Sequence, residues 1–205
     1  MSAAPARPDA PAGAFRPGRR WLPAGLVLAV ILVAVLGGFV TAVALPVREA
    51  VPVTVGGAVT VRPLPGWSVV RRDETRLPGP GTGTVEAEFA QLSRGNGALD
   101  VVTIGNVGEP AEGAAAFYVE AVLRTQLERP SVSDLRAVVL ARGLQAVTFA
   151  YIGTEPSSGD AIEGTVTVTI GSSGVAVFFD GWASEGQLEL IDDELASMIN
   201  DAEID

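Results

Sequence analysis

The stretch TVTVTIGSSGVAVFFDGW, residues 165–182, decides the predicted fold of this chain. Val166 and Val168 alternate with threonines, and this period of two predicts a β-strand with valines facing the core and threonines facing solvent. Glycine and serine at 171–174 predict a turn, and the apolar run 175–179 predicts the strand that follows. These residues therefore predict a pair of strands joined by a short turn.

Six other runs have the features of strands, being apolar or alternating and bounded by turn residues. They are 59–62, 68–72, 84–92 and 99–104 before the first predicted helix, and 135–140 and 144–152 after it. The run 99–104 is apolar on both faces except for Asp100 and Thr103. Such a run is expected for a central strand that is covered on both sides.

Two segments have the period of amphipathic helices. The first, 110–129, begins with Pro110, a residue favoured at the first helical position. The second, 185–202, follows Ser184 and Gln187, which have the spacing of a capping box. Its apolar stripe consists of Leu188, Ile191, Leu195, Met198, Ile199 and Ala202. Strands interrupted by helices predict an α+β fold: an antiparallel β-sheet with two packed helices, in the order four strands, helix, four strands, helix.

A long uncharged segment precedes this fold. No charged residue occurs between Arg20 and Arg48, and the segment 21–47 is almost wholly apolar. A hydrocarbon core needs about 20 apolar residues, so the segment is long enough for one transmembrane helix. Three arginines lie just before it, whereas Arg48 after it is offset by Glu49. The positive-inside rule then predicts a cytoplasmic N-terminus and an extracytoplasmic C-terminal domain.

We therefore expect four parts in the chain. Residues 1–20 form a disordered cytoplasmic tail, 21–47 a signal anchor in the cell membrane, 48–54 a linker and 55–205 the extracytoplasmic α+β domain. The alternative is a cleaved signal peptide, because Ala42-Val43-Ala44 has the small-residue pattern of a cleavage site. The apolar region is longer than the usual length of about 7–15 residues, which favours the uncleaved anchor.

Three residue types are absent: the chain has no cysteine, no histidine and no lysine, and all 14 basic residues are arginine. Without cysteine or histidine, the usual zinc, haem and iron–sulfur ligand sets cannot form. A cysteine nucleophile, a Ser–His triad and a lysine Schiff base are also excluded. We therefore expect no metal and no cofactor, and we predict that the protein is not an enzyme.

Two weaker patterns are interpreted as structural. The glycine-rich stretch 79–84 lacks the lysine and the following helix of a phosphate-binding loop, which favours a flexible hairpin loop. Glu86 and Glu88, on a predicted strand, are interpreted as solvated surface charge rather than as acid–base groups. A hydrolase that depends on aspartate or glutamate is the less favoured alternative. It would require two carboxylates to meet in one deep pocket with raised pKa values.

The last third of the chain is strongly acidic, since twelve acidic residues and no basic one follow Arg142. Such a surface repels the nucleic acid backbone, so we expect no nucleic acid partner. We define the acidic face as the charged residues that should be exposed on the last predicted helix, namely Glu189, Asp192, Asp193 and Asp201. This face is a candidate site for a basic partner protein. Trp67 and Trp182 are further candidates on an uncharged rim, although packing in the core or a cleft is their better interpretation.

The predicted element order, with Pro65-Gly66-Trp67 after the first strand, resembles that of the PsbP-like fold. That fold occurs in photosystem extrinsic proteins, in a Ran-binding nuclear import factor and in small bacterial envelope proteins. The closing pattern Phe178-Phe179-Asp180-Gly181-Trp182, followed by a helix that ends near Met198-Ile199, is similar to the bacterial members. The resemblance covers residues 59–204 and implies an adaptor or assembly factor, with no functional residue carried over.

These observations together predict a membrane-anchored extracytoplasmic module of the bacterial cell envelope. We expect it to bind another protein or a cationic ligand without catalysis. The alternative is an envelope assembly or structural factor that has no ligand of its own.

Overall fold

The computed structural model describes residues 51–78, 84–105 and 110–205. The predicted tail 1–20, the predicted membrane segment 21–47 and most of the glycine-rich stretch lie outside these described residues. Within the described ranges, no helix combines the length and the apolar character that crossing a membrane requires.

Eleven strands and two main helices occur in the residues that the structure describes. Before the first helix lie strands β1 (Val53–Val55), β2 (Val59–Val61), β3 (Ser68–Pro78), β4 (Thr84–Arg94) and β5 (Gly97–Ile104). Helix α1 is α-helical over Ala111–Tyr118, continues through a π-helical turn at Val119–Leu123 and ends with Arg124–Gln126. Strands β6 (Glu128–Val132), β7 (Arg136–Val139), β8 (Gln145–Thr154), β9 (Ala161–Ile170) and β10 (Ala176–Ser184) follow. The chain then forms a 3-10 turn at Leu188–Leu190, helix α2 (Asp192–Asn200) and strand β11 (Glu203–Ile204).

Eight strands form one antiparallel sheet in the order β3-β4-β5-β10-β9-β8-β6, with β7 also paired to β8. Strands β1, β2 and β11 form a second, three-stranded sheet. The predicted α+β class with an antiparallel sheet is confirmed. The hairpin of β9 and β10 lies near the middle of the large sheet, where β10 pairs with β9 on one side and with β5 on the other.

Two apolar cores cover the two faces of the large sheet. On the face that we call the α1 face, helix α1 packs on strand residues that include Phe149, Val168 and Phe178. On the opposite face, the α2 face, helix α2 and the small sheet pack on residues that include Phe179. Neighbouring residues of one strand thus enter different cores, because successive side chains point to opposite faces.

Two of the three threonines of β9, Thr167 and Thr169, are buried, which corrects the prediction that the threonines face solvent. Thr167 is 7% exposed and Thr169 is fully buried, because the α2 face is also covered. The Thr169 hydroxyl keeps a partner by donating to the Gln145 carbonyl at 2.8 Å. The period of two therefore identified a strand correctly but did not identify a solvent-exposed face.

The element order differs from the predicted four strands, helix, four strands, helix. Strand β1 lies partly in the predicted linker 48–54, and β6 begins inside the predicted helix 110–129. Helix α1 ends because Leu127 takes extended backbone angles, φ −118° and ψ 142°. Pro130 fits into β6 because this strand is at the edge of the sheet, where a missing N–H is tolerated.

The last helix is shorter than predicted and begins at Asp192 rather than at residue 185. Strand β10 extends to Ser184, so the Ser184 and Gln187 pair does not form the predicted capping box. The apolar stripe is confirmed. Leu195, Met198 and Ala202 are buried, and Leu188, Ile191 and Ile199 pack against the same core. Strand β11 then pairs with β2 and holds the residues after α2 against the small sheet.

Candidate functional site

A row of polar residues crosses the large sheet. The register pairs Arg71 of β3 with Gln91 of β4, Gln91 with Asp100 of β5, and Asp100 with Asp180 of β10. Residues that are paired directly across antiparallel strands project from the same face. The row therefore lies on the α1 face, and we call Asp100 and Asp180 the aspartate pair.

Asp180 is held by two tyrosines. It is 4% exposed, and its Oδ2 and Oδ1 accept hydrogen bonds from the hydroxyls of Tyr118 and Tyr151, each at 2.9 Å. Tyr118 belongs to α1 and Tyr151 to β8, so the two donors reach the carboxylate from different elements. Both oxygens of Asp180 are thus satisfied by the protein itself.

Gly164 provides the space that Tyr151 needs. The register pairs Tyr151 of β8 with Gly164 of β9. A Cβ atom at position 164 would overlap the Tyr151 ring, so only glycine lets the ring lie across this point. The absence of a side chain at one position of β9 is therefore what allows the Tyr151 hydroxyl to reach Asp180.

Asp100 is less completely satisfied. Its Oδ2 accepts a hydrogen bond from Trp182 Nε1 at 3.0 Å. Its Oδ1 is shielded from solvent and has no hydrogen-bond partner among the described residues. An unsatisfied buried acceptor costs about 1–3 kcal/mol, so this carboxylate is an energetic cost to the isolated fold.

Burial raises the pKa of both aspartates. Burial is the main cause for Asp180, whose pKa rises to about 7; the negative charge of Asp100 adds to the rise, and the two tyrosine hydrogen bonds oppose it. Burial also raises the pKa of Asp100 to about 6, against the opposing effects of the Trp182 hydrogen bond, the Gln91 amide and the Arg71 charge. The pair therefore takes up or releases a proton close to neutral pH. Burial raises the pKa of both tyrosine hydroxyls above the usual value, so they remain donors.

The aspartate pair lines a pocket of about 600 Å³. This volume lies within the range of about 300–1,000 Å³ that is usual for small-molecule sites. Apolar and aromatic lining comes from Phe89, Leu123, Leu127, Ile162, Tyr151 and Trp182. Polar lining comes from Arg71, Gln91, Gln126, Glu155 and Ser157. The pocket is therefore an open cleft in which apolar and polar side chains are mixed.

Arg71 brings a positive charge to this pocket. Its guanidinium donates to Asp73 Oδ2 at 2.9 Å and lies over the Phe89 ring, 5.7 Å from the ring centroid. The Arg71 side chain is 64% exposed, so this ion pair contributes little to stability. The guanidinium has five N–H donors in all, which leaves donors for a ligand.

A second pocket, of about 440 Å³, lies beside β4 and includes Glu86 and Glu88. Both glutamates are exposed, in agreement with their interpretation as surface charge. Arg76 lies 3.6 Å from Glu86, and Glu88 accepts a hydrogen bond from the Gly56 N–H at 2.9 Å. The aspartate pair is the stronger candidate site, because burial raises the pKa of its carboxylates.

The four residues of the acidic face are all exposed, as predicted: Glu189, Asp192, Asp193 and Asp201. Glu194 lies beside them on α2 but is engaged with the protein, since it pairs with Arg94 and accepts a hydrogen bond from Trp67 Nε1 at 2.7 Å. The Arg94 and Trp67 hydrogen bonds lower the pKa of Glu194. The acidic face is therefore a solvated surface next to one anchored carboxylate.

The two candidate tryptophans do not share a rim. Trp67 is 5% exposed and packs in the core of the α2 face. Trp182 is partly buried and packs on the α1 face, where it lines the pocket. The indole N–H groups of both donate to carboxylates, Trp67 to Glu194 and Trp182 to Asp100. The interpretation of core packing for Trp67 and cleft lining for Trp182 agrees with these positions, and the uncharged rim is a wrong prediction.

Asp100, Asp180, Tyr118 and Tyr151 were not among the residues that the sequence nominated for the site. One signal was available, because Asp100 interrupts an otherwise apolar central strand and Asp180 follows two phenylalanines. What the sequence did not contain was the register that places the two aspartates opposite each other.

In the part of the chain that the structure describes, no group of three acidic side chains converges as a metal site would require.

Comparison with known proteins adds no assignment to this geometry. No protein-family model matches the chain, and no curated protein matches it either. The pocket and the aspartate pair are therefore the basis for a functional proposal.

Proposed function

We propose that this protein is an extracytoplasmic binding module whose pocket takes a ligand with a positively charged group. The observation that carries the proposal is Asp100, a half-buried carboxylate that lines the pocket and forms no salt bridge among the described residues. A cationic group of a ligand in the pocket would pair with this carboxylate, and hydrogen bonds to charged groups are among the stronger ones, worth about 1.5–3 kcal/mol. Trp182 and Tyr151 offer aromatic surface beside the same carboxylate.

Binding is better supported than hydrolysis by the two aspartates. A carboxylate pair with raised pKa values in a pocket is the feature that the hydrolase alternative requires. However, Asp180 is buried and both of its oxygens already accept tyrosine hydroxyls, which leaves Asp100 alone to act on a substrate. A two-carboxylate mechanism needs both groups at the scissile bond. We therefore keep the protein in the non-catalytic class.

The location belongs to the same proposal. The apolar segment 21–47 would anchor the module in the cell membrane with the described domain outside the cytoplasm. A PsbP-like relationship, of the kind found in bacterial envelope proteins, is also part of the proposal. An envelope assembly factor without a ligand remains the alternative. The absence of detectable binding in the experiment below would favour it.

The binding test uses the full-length chain purified in detergent. We expect 2-phenylethylammonium, an aromatic cation, to bind at millimolar concentration or below in a calorimetric titration. Asp100→Asn should weaken this binding by about 10- to 100-fold, the factor that corresponds to one hydrogen bond to a charged group. Asp134→Asn, at an exposed aspartate outside the pocket, is the matched control. No binding, or equal binding by the two variants, would contradict the proposal.

The location is tested separately. A C-terminal alkaline phosphatase fusion should be active because the domain is exported, and an inactive but stably expressed fusion would contradict the orientation. N-terminal sequencing of the mature protein distinguishes the anchor from a signal peptide, since a start at Leu45 means cleavage after Ala44.

A further inference from the structure

We propose that the ligand is a zwitterion: a small molecule whose ammonium group binds Asp100 and whose carboxylate binds Arg71, as in a free α-amino acid with an apolar side chain. This inference rests on the proposed function, because it concerns the same pocket. It adds a second charged group to the ligand and a second recognition residue to the protein.

The spacing of the strands brings the two recognition residues to one side of the pocket. Arg71 and Asp100 are each paired with Gln91 on the strand between them. Adjacent strands are about 4.8 Å apart, so the two backbones are separated by roughly 10 Å. The long Arg71 side chain can shorten that gap, and the Gln91 amide between the two charges offers both a donor and an acceptor.

The charges of the pocket favour a zwitterion over a simple ion. A cation without an anionic group would be attracted by Asp100 and repelled by Arg71, and an anion would meet the reverse. A molecule with both groups is complementary to both residues. Asp180 and Glu155 are the other charged residues of the lining. The two oxygens of Asp180 accept the tyrosine hydroxyls, and the two oxygens of Glu155 accept the hydroxyls of Ser157 and Ser158, each at 2.9 Å. The Glu155 carboxylate is therefore engaged with its own loop.

Arg71 can leave its present partner at little cost. Its bond to Asp73 is between exposed side chains, and exposed ion pairs of this kind contribute little to stability. A bidentate bond between a guanidinium and a carboxylate is stronger than a single exposed contact. A ligand carboxylate could thus compete with Asp73 while the guanidinium stays over the Phe89 ring.

The apolar lining indicates the rest of the ligand. Leu123 and Leu127 come from the end of α1, and Ile162 comes from β9. These aliphatic side chains, together with Trp182, would enclose a branched or aromatic side chain of the ligand rather than a polar one.

Three matched probes separate the two charged groups. Leucine carries both groups, leucinamide lacks the carboxylate, and 4-methylpentanoate lacks the ammonium. We expect calorimetric titration of the full-length chain in detergent to show leucine binding at least about tenfold more tightly than either of the other two. Arg71→Gln should reduce leucine affinity by about tenfold, since only leucine offers a carboxylate, and should leave leucinamide affinity equal or slightly higher, since a repelling charge is removed.

Arg72→Gln is the control for the change of charge. Arg72 is the next residue of β3, is exposed, and pairs with Ala90, which belongs to the core of the α2 face. It should leave the affinity for leucine unchanged. Circular dichroism and thermal unfolding of each variant verify that the domain is folded.

Two outcomes would overturn the inference in distinguishable ways. If leucinamide binds as tightly as leucine, and Arg71→Gln changes neither, the ligand is a simple cation and only the zwitterion is wrong. If none of the three probes binds, or if Asp100→Asn leaves their affinities unchanged, both the zwitterion and the charged-ligand function are wrong.

Discussion

The α1 face and the α2 face of the large sheet are covered by similar means but differ in chemistry. On the α2 face, buried valine, leucine, phenylalanine and methionine side chains close the core under α2 and the small sheet. Among the described residues, the one buried charged side chain is Asp180, and it lies on the α1 face beside the pocket. A face that serves only stability can do without charged side chains, whereas the α1 face keeps two carboxylates at an energetic cost. That contrast is the main reason to place function on the α1 face.

The largest expected effect tests whether both faces are closed cores. Val168→Asp on the α1 face and Thr167→Asp on the α2 face should each destabilise the domain by about 3–5 kcal/mol, because each buries an unpaired charge. The two variants should lose similar amounts of stability. If the α2 face were solvated, Thr167→Asp would cost much less than Val168→Asp. Chemical denaturation measures both. Ser172→Asp, in the exposed turn after β9, is the control and should change stability little. A stable Thr167→Asp variant would contradict burial on the α2 face.

A smaller effect tests the construction of the α1 face. Gly164→Ala should destabilise the domain by about 1–3 kcal/mol, because the added methyl overlaps the Tyr151 ring. It should also disturb the hydrogen bond from Tyr151 to Asp180, which Tyr151→Phe removes without adding volume. Gly105→Ala is the matched control, since a Cβ there meets no atom of the described residues within 4 Å. If the two alanine variants are equally stable, Gly164 does not position Tyr151.

The pH dependence of stability tests the α1 face, because the two aspartates with raised pKa values lie on it. The folded pKa values of Asp100 and Asp180, about 6 and about 7, lie above the ordinary 3.8 of aspartate. The folded state therefore binds more protons than the unfolded chain between about pH 4 and pH 7, and stability should fall as pH rises through that window. Above about pH 7 this contribution levels off.

Asp180→Asn removes the group with the larger pKa shift. The stability of this variant should therefore fall less between pH 5 and pH 7. The groups around Asp180 are Asp100 and the two tyrosines, and the tyrosines do not titrate in this range. Thermal unfolding across this range measures the slope, with Asp134→Asn as the control that retains it. The lowered pKa values of Asp73 and Glu194 have the opposite sign and act at lower pH. If Asp180→Asn leaves the slope of stability against pH unchanged, Asp180 does not titrate together with Asp100 in this range.

The smallest effect on stability is expected for the acidic face. Replacing Glu189, Asp192, Asp193 and Asp201 with glutamine or asparagine should change the melting temperature little. Relief of the repulsion among these exposed charges offsets the loss of Asp192 and Asp193 from the first turn of α2, where the helix dipole favours anions. The association rate of an arginine-rich peptide should fall several-fold in the same variant, and it should fall in the native protein as salt rises. Surface plasmon resonance at two salt concentrations measures both. Peptide capture that ignores the substitutions and the salt would exclude the acidic face as a docking surface.

The elements of the fold were largely predictable from periodicity. The alternation in 165–182 identified β9 and the turn after it, and the apolar stripe of the last helix identified the side that packs on the sheet. Periodicity reports which side chains share a face, so it succeeds wherever one face is apolar. It gave the wrong environment for Thr167 because a second layer, made of α2 and the small sheet, covers the other face. The short strands β1 and β11 lack enough residues to show any period.

The residue inventory of this protein can be read from the amino-acid sequence: an uncharged segment 21–47, an acidic last third and a chain without cysteine, histidine or lysine. Those features exclude whole classes of chemistry, because no fold can supply a missing side chain. Only the tertiary structure decided that Asp100 and Asp180 meet. They are far apart in the chain, and their pairing depends on which strands are neighbours and on the register between them. Their raised pKa values follow from burial, a property of the packed sheet and of helix α1 rather than of either residue.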